Sequence, residues 1–334
     1  MSSANALRWD GGPGHYEVYY VTLTDPASGT GVWVRYTLRA PLGGAGAECA
    51  LWLVAMTPDG DRLARRATFP AAALEAREDP FAVSLGGADL TDRGAAGAIG
   101  PGAAWELLWE PRLAPHAFVH PLVERAGVAQ TELVLAHADL AISGTIRLGE
   151  RVLELSGARG AQAHLWGSRH AARWAWAHCN DLRDADGEPR PDTFLDAVSV
   201  YVERLGREVG PSTPVVARVR GEDFVATDPV ALVRARSRFG LSTWRFEARS
   251  GRRRIVGEVD VPRETLAGVT YHDPDGRPAY CYNSEVASMR LSVWDRPARR
   301  RSGWALRDTL AGDGRAHFEY GQRASVPDVE LLLT

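Results

Sequence analysis

The sequence is poor in the residues from which covalent staples and metal sites are built. Its three cysteines, Cys49, Cys179 and Cys281, are odd in number and far apart. With no CxxC spacing, they encode neither a disulfide framework nor a cysteine zinc site. A reducing compartment fits that usage, and the N-terminus lacks a charged region followed by an apolar one, so the cytoplasm is the expected location. No run approaches the ~20 apolar residues of a spanning helix, which limits lipid contact to a pocket or to peripheral attachment at a membrane surface. Charge of one sign is not in excess either, with a formal net charge of −3. Two short basic runs, Arg252-Arg253-Arg254 and Arg299-Arg300-Arg301, lie in Gly- or Pro-punctuated segments and read as solvated turns, so no nucleic-acid partner is expected. A nucleophile elbow, a P-loop and a Rossmann glycine fingerprint are all missing, which removes the commonest hydrolase, kinase and dehydrogenase readings. No cofactor is implied, and the pattern leaves the oligomeric state open.

Helical periodicity is also scarce. PAAALEARED (70 to 79), with a proline start and an Ala-rich body, is the best helix candidate. Short alternating or apolar runs fill the chain instead, among them HYEVYYVTLT (15 to 24), GVWVRYTL (31 to 38), TELVLAHADLAISGTIRL (131 to 148), RWAWAHCNDL (173 to 182), TFLDAVSVYVERL (193 to 205) and AHFEYGQR (316 to 323). Turns rich in Asp, Pro and Gly separate them, so the fold is all-β, with antiparallel sandwiches or barrels and few short helices. A length of 334 residues predicts two domains. The polar stretch LGREVGPSTP (205 to 214) marks the boundary, giving domains 1–208 and 209–334, while DADGEPRPD (184 to 192) reads as a hairpin loop within one sheet.

One stretch concentrates chemistry: HLWGSRHAARWAWAHCN, residues 164 to 180, holds three of the eleven tryptophans and three of the nine histidines. On a strand, residues two apart share a face. Trp174, Trp176, His178 and Asn180 therefore share one side, and Ala175, Ala177 and Cys179 the other. His164 and Trp166 repeat the relation upstream. In the following strand Phe194, Asp196, Val198, Val200 and Val202 fall on one face, where Asp196 is the anomaly. Buried without a partner, its carboxyl rises in pKa and becomes a general acid; bonded to one of the many arginines, it is a salt bridge. Glu285 has the same two readings, interrupting an apolar face of Ala287, Met289, Leu291 and Val293 just after Tyr282. The tryptophans read as barrel core or as site wall, and His164 and His178 as structural or catalytic. The spacing of histidines 164, 170 and 178 matches no compact metal motif, and His170 falls in a polar bend, so no metal is expected.

These residues carry a resemblance. WDGGPGHYEVYYVTLTD and GVWVRYTLRAP near the N-terminus, HLWG followed by RWAWAHCN, and YCYNSEVAS in the last third resemble the lipocalin-like superfamily that includes carotenoid 1,2-hydratase (hydroxyneurosporene synthase) and plant tocopherol cyclase. The resemblance implies two lipocalin-like barrels with a ligand cavity in or between them. It also implies an apolar isoprenoid or polyene ligand, whose double bond is protonated before water or an internal hydroxyl captures the cation. The family's His-x-Trp and Tyr-x-Asp pattern is matched by His164, Trp166, Phe194 and Asp196, with Phe194 where the hydratases keep a tyrosine. The roles that follow are Asp196 as acid, His164 as its partner, and Trp166, Trp174, Trp176, His178, Asn180, Phe194, Tyr282 and Glu285 as substrate-binding wall. A pericyclic natural-product cyclase and a non-catalytic lipid or pigment carrier are the alternatives.

Overall fold

The computed structural model describes residues 4–44, 46–125, 129–297 and 303–334. The basic run at 299–301 lies outside the described residues. Two large antiparallel sheets account for nearly all of the chain. The first, in hydrogen-bonded order, runs Arg62–Pro70, Glu48–Met56, Gly31–Ala40, His15–Thr24, Arg151–Gly167, Thr131–Leu148, Ala103–Leu108, Gly94–Ala98, Ala88–Thr91, Phe81–Leu85 and Leu74–Glu78. The second runs Glu222–Ala226, Val215–Val219, Phe194–Arg204, Arg173–Cys179, Ala305–Gln322, Pro278–Asp295, Arg253–Asp260, Thr243–Ser250 and Arg236–Phe239. Each curls into a nearly closed barrel of the lipocalin type around its own core, so the all-β, two-barrel expectation describes the molecule. Among the described residues no helix is long and apolar enough to cross a membrane.

The strands form where the alternation and turn signals put them, with His15–Thr24 and Thr131–Leu148 coinciding with the runs read from sequence. DADGEPRPD joins Arg173–Cys179 to its antiparallel partner Phe194–Arg204 as a hairpin loop. Two readings are corrected. The chain passes between sheets at 168–172, so strands Arg173–Cys179 and Phe194–Arg204 belong to the second sheet. The stretch 205–214 is no linker: Leu205 and Gly206 make a hairpin turn and Arg207–Ser212 is a strand that pairs back onto Phe194–Arg204 within that sheet. Its polar turn chemistry serves a hairpin as well as a linker. In PAAALEARED only Ala71–Ala73 makes a single 3-10 turn, and Leu74–Glu78 is a strand paired with Phe81–Leu85. Sheet pairing overrides alanine's helix propensity there. The basic run at 252–254 makes its contacts within the chain: Arg253 pairs with Glu222 at 2.5 Å, and Arg254 lies over the Trp294 ring at 4.7 Å.

A third apolar cluster fills the seam between the barrels. Tyr16, Val18, Tyr20, Trp33, Trp52, Val54 and Met56 from the first sheet meet Trp174, Trp176, Phe194, Val269, Tyr271, Cys281 and Val286 from the second. Fully burying a side chain of this size contributes about 2–3 kcal/mol, so the seam is a stabilising core in its own right. The sheets approach so closely at one point that a β-carbon on Gly31 would lie 2.0 Å from the Glu285 carbonyl oxygen across the seam. Gly31→Ala is therefore expected to cost about 1–3 kcal/mol by overpacking. Gly43→Ala, which meets nothing within 4 Å, is the control, and thermal unfolding followed by circular dichroism checks both.

Candidate functional site

The alternation in RWAWAHC divides its side chains between two cores. Ala175, Ala177 and Cys179 pack inside the second barrel, whereas Trp174 and Trp176 turn outward into the seam. Small residues are required on the inner side because the barrel is already filled by Phe318, Tyr320, Met289 and their neighbours. Trp174 is opposite Gly321 in the register, and a β-carbon there would lie 2.1 Å from the indole ring. The missing side chain lets the indole lie against the neighbouring strand.

Beside these tryptophans the seam opens into a cavity of about 360 Å³. Its wall is mostly apolar and aromatic, with Tyr16, Tyr20, Leu133 and Leu165 from the first sheet and Trp174, Trp176, Val198, Val200 and Tyr271 from the second. Phe118 and Val123, at and beside the short helix Pro121–Arg125, close one side. Besides the tyrosines, the polar residues in the wall are Arg35, His120, Gln130, Thr131, His170, Arg204, Ser212 and Glu319, of which Arg35, His170 and Glu319 lie with the aromatic rings at the seam. A concave apolar site with a small number of convergent polar groups is the usual form of a small-molecule pocket.

His170 belongs to the crossover between the sheets. Its ring is stacked on Tyr16 at 4.6 Å, Tyr271 at 5.3 Å and Trp174 at 5.4 Å. Burial, which outweighs the neighbouring Asp273, lowers its pKa below the usual histidine value and keeps it neutral near pH 7. Asp273 is held low: burial pushes its carboxyl up, but the His170 hydrogen bonds and the Arg323 charge outweigh it. An ionised carboxylate only accepts, so Nδ1–H of His170 donates to Asp273 Oδ1 at 2.6 Å and Nε2 is the basic nitrogen. Arg323 anchors the other Asp273 oxygen at 2.6 Å. This is the arrangement of an oriented imidazole base. Glu319 stands on the same wall, its Oε2 accepting from Trp174 Nε1 at 3.4 Å. Burial, assisted by Glu285 and opposed by Arg35, raises its carboxyl above the usual range.

The residues singled out from sequence fall in several different places. Trp174 and Trp176 line the cavity. Asp196 is wholly buried on the predicted face but behind Trp176, outside the lining. It accepts from Trp176 Nε1 at 2.9 Å and shares a 3.1 Å hydrogen bond with His178 Nδ1. Burial raises its carboxyl despite these bonds, and no arginine pairs with it among the described residues. Phe194 packs in the seam 5.8 Å from His116, also outside the lining. Asn180 is a clip between the sheets, donating to Asp139 Oδ1 at 3.0 Å and to the Gly160 carbonyl at 2.8 Å.

His164 and Trp166 are corrected, because their parity on Arg151–Gly167 points them to the opposite face, at the mouth of the first barrel. There His164 Nε2 bonds Glu17 Oε1 at 2.8 Å, and its Nδ1 lies 2.9 Å from the Ala4 carbonyl. Trp166 lies under the Arg8 guanidinium at 5.0 Å. His164 is thus no partner of Asp196; it and Glu17 hold the N-terminal segment, whose Arg8 and Trp9 amides donate to the same carboxylate at 2.8 and 2.9 Å. Tyr282 is corrected too, since it sits inside the second barrel with its hydroxyl accepting from Val326 N. Glu285 does not share the face of Ala287. A bulge between Ser284 and Ala287 reverses the alternation, and Glu285 meets His317 Nδ1 at 2.5 Å in the seam.

Sequence reasoning missed Arg35, Glu319 and His170. Arg35 shares parity with Trp33, and Glu319 shares parity with His317 between two barrel-facing aromatics, so the argument applied to Asp196 reaches both. His170 lies between strands and had no periodic signal.

No family model matches the sequence. The Mycobacterium tuberculosis (strain H37Rv) protein named uncharacterized protein Rv0493c is 33% identical over 300 residues, covering 88% of this chain and 86% of its own length. The chain belongs to the Rv0493c family. Solved structures extend the likeness at the level of fold. CghA superimposes with a TM-score of 0.58 at 10% identity, covering 93% of this chain and 88% of its own, and has been solved with Sch210972. NE1406 from Nitrosomonas europaea gives 0.57 at 13% identity, covering 97% and 100%. Kievitone hydratase from Nectria haematococca gives 0.52 at 8% identity, covering 95% and 90%. The lipocalin-like barrel architecture is common to all three and to this member of the Rv0493c family.

The Glu17 cluster gives a pH-dependent prediction. Burial alone would raise Glu17, but the bonds from His15 and His164, the charge of His164 and the Arg8 amide bring it from 4.5 down to about 2. The folded state takes up that proton later on acidification than the unfolded chain does. Its stabilisation, on the order of 3 kcal/mol, is complete above about pH 5 and is lost as the pH falls toward 2. Glu17→Gln should therefore be less stable than the parent at pH 7 and converge with it near pH 2. Urea unfolding across that range checks this, and a pH-independent difference would assign the effect to packing.

Proposed function

We propose that the seam cavity binds an apolar isoprenoid or polyene and converts it by protonating a double bond, with hydration or cyclisation as the outcome. The observation that carries this reading is the pairing, on one aromatic wall, of a carboxyl raised by burial with a neutral imidazole oriented by a carboxylate. Glu319 is the acid: its proton adds to one alkene carbon, leaving a cation on the other. The faces of Trp174 and Trp176 stabilise that cation by about 0.5–2 kcal/mol each. In hydration, water attacks the cationic carbon while His170 Nε2 takes the proton that water releases. Return of that proton to Glu319 closes the cycle with one water added. In cyclisation, a substrate hydroxyl takes the place of water.

Asp196 and His178 have a positioning role in this scheme, fixing the Trp176 indole through its Nε1–H. The missing hydroxyl at Phe194 matters less than its alignment with a hydratase tyrosine suggests, because that ring is not part of the cavity wall. The resemblance to carotenoid 1,2-hydratase and tocopherol cyclase favours an isoprenoid, and the fold shared with kievitone hydratase is compatible with water addition.

The test is incubation with lycopene and with a prenylated phenol, followed by mass spectrometry for addition of one water or for an isomer of unchanged mass. The parent chain should convert at least one of them. Glu319→Gln should slow that conversion at least a hundredfold while still quenching tryptophan fluorescence on binding. Conversion at the parental rate by Glu319→Gln would overturn acid catalysis in favour of a cavity that acts by holding its substrate folded.

A further inference from the structure

Arg35 lies on the strand Gly31–Ala40 and lines the cavity, yet the seam does not neutralise it. It is only 5% exposed. Its guanidinium carbon lies 4.1 Å from the Tyr271 ring centroid and 5.5 Å from that of Trp33, so its position is held by stacking on aromatic rings rather than by an anion. Among the described residues it has no carboxylate within ion-pair distance, and its buried Nε has no hydrogen-bond partner. Other arginines near the seam contrast with this: Arg159 is paired with Asp139, and Arg323 with Asp273. A guanidinium removed from water without a hydrogen-bonded counter-ion is costly in a dry interior.

The surroundings favour an anion from outside the chain. Glu319, on the same cavity wall, is near enough for Arg35 to hold its carboxyl down, but burial still raises it, which makes it a weak counter-ion. A small recess also lined by Arg35 has Arg39, Arg66 and Glu48 in its wall; Glu48 is taken up by Arg39 at 2.7 Å and does not pair with Arg35. Tyr16 and Tyr20, which face the same space, have phenols pushed up by burial and carry no charge near neutral pH.

We propose that Arg35 is the recognition point for an acidic oxygen of the ligand, a carboxylate or enolate, so that the bound molecule is an amphiphile with an acidic head and an apolar body. This rests on the reading of the seam cavity as the ligand site. It deepens that reading by assigning the substrate class. Held at its head by Arg35, the apolar body would extend along Trp174, Trp176, Val198 and Val200, past Glu319 and His170. The guanidinium's planar fork suits a bidentate carboxylate, which a lysine ammonium matches poorly.

Retinoic acid and retinol share one polyene and differ in the head, so quenching of tryptophan fluorescence by each separates head recognition from cavity binding. The parent chain should bind retinoic acid at least tenfold more tightly than retinol. Arg35→Met should abolish that preference, and Arg35→Lys should retain part of it, with thermal unfolding confirming that each variant is folded. Equal affinity of the parent chain for the two molecules, or an undiminished preference in Arg35→Met, would overturn the proposal while leaving the cavity as the ligand site. Failure of both molecules to bind the parent chain would overturn the ligand-site reading and the proposal together.

Discussion

Both faces of the strand Arg173–Cys179 are buried, and they are buried in different cores. One face completes the interior of the second barrel and must be small; the other meets the first barrel and must be large. An ordinary barrel strand has a solvated outer face, so its sequence answers to one core only. Here the two requirements together dictate WAWAHC, and the strand opposite must leave room, as Gly321 does beneath Trp174. A one-residue slip would put indoles into a filled barrel and alanines into the seam.

The seam holds polar as well as apolar groups, and the two kinds do different work. Buried polar contacts such as Asn180 with Asp139 and Gly160, or His317 with Glu285, add little net stability once desolvation is counted. Their geometry is demanding, so they fix how one barrel sits on the other. Where the rings of Tyr16, Tyr20, Trp174 and Tyr271 stand apart, the same rigid seam becomes a cavity instead of a core. The crossover that joins the barrels contributes His170 to its wall, which ties the site to the connection between domains. Neither barrel alone holds Arg35, His170 and Glu319 together.

Period-two alternation made much of the fold legible. It identified the strand set, the opposite faces of RWAWAHC, the common face of Phe194, Asp196 and Val198, and the hairpin at 184–192. Each of these depends on neighbours one or two residues away. What it did not convey was which of two buried faces belongs to which core, because His164 and Trp176 are both aromatic residues on buried strand faces. His164 turned out to serve the N-terminal segment at a barrel mouth, through a carboxylate nearly 150 positions away in the chain. The bulge at 284–287 reversed Glu285 without any glycine or proline to announce it. A turn-rich stretch at 205–214 and the true crossover at 168–172 differ only in what they connect. The candidate site was legible in part: its tryptophans follow from alternation, whereas its base lies in a bend where no periodicity operates.

The central claim is that the space between the barrels is the ligand site. The most direct measurement is binding of the fluorescent probe 1-anilinonaphthalene-8-sulfonate to the parent chain and to Val200→Trp, which fills the cavity from its own wall. If the claim holds, the variant keeps a thermal midpoint close to the parent's and binds the probe at least tenfold more weakly. Undiminished binding by a folded Val200→Trp chain would contradict it.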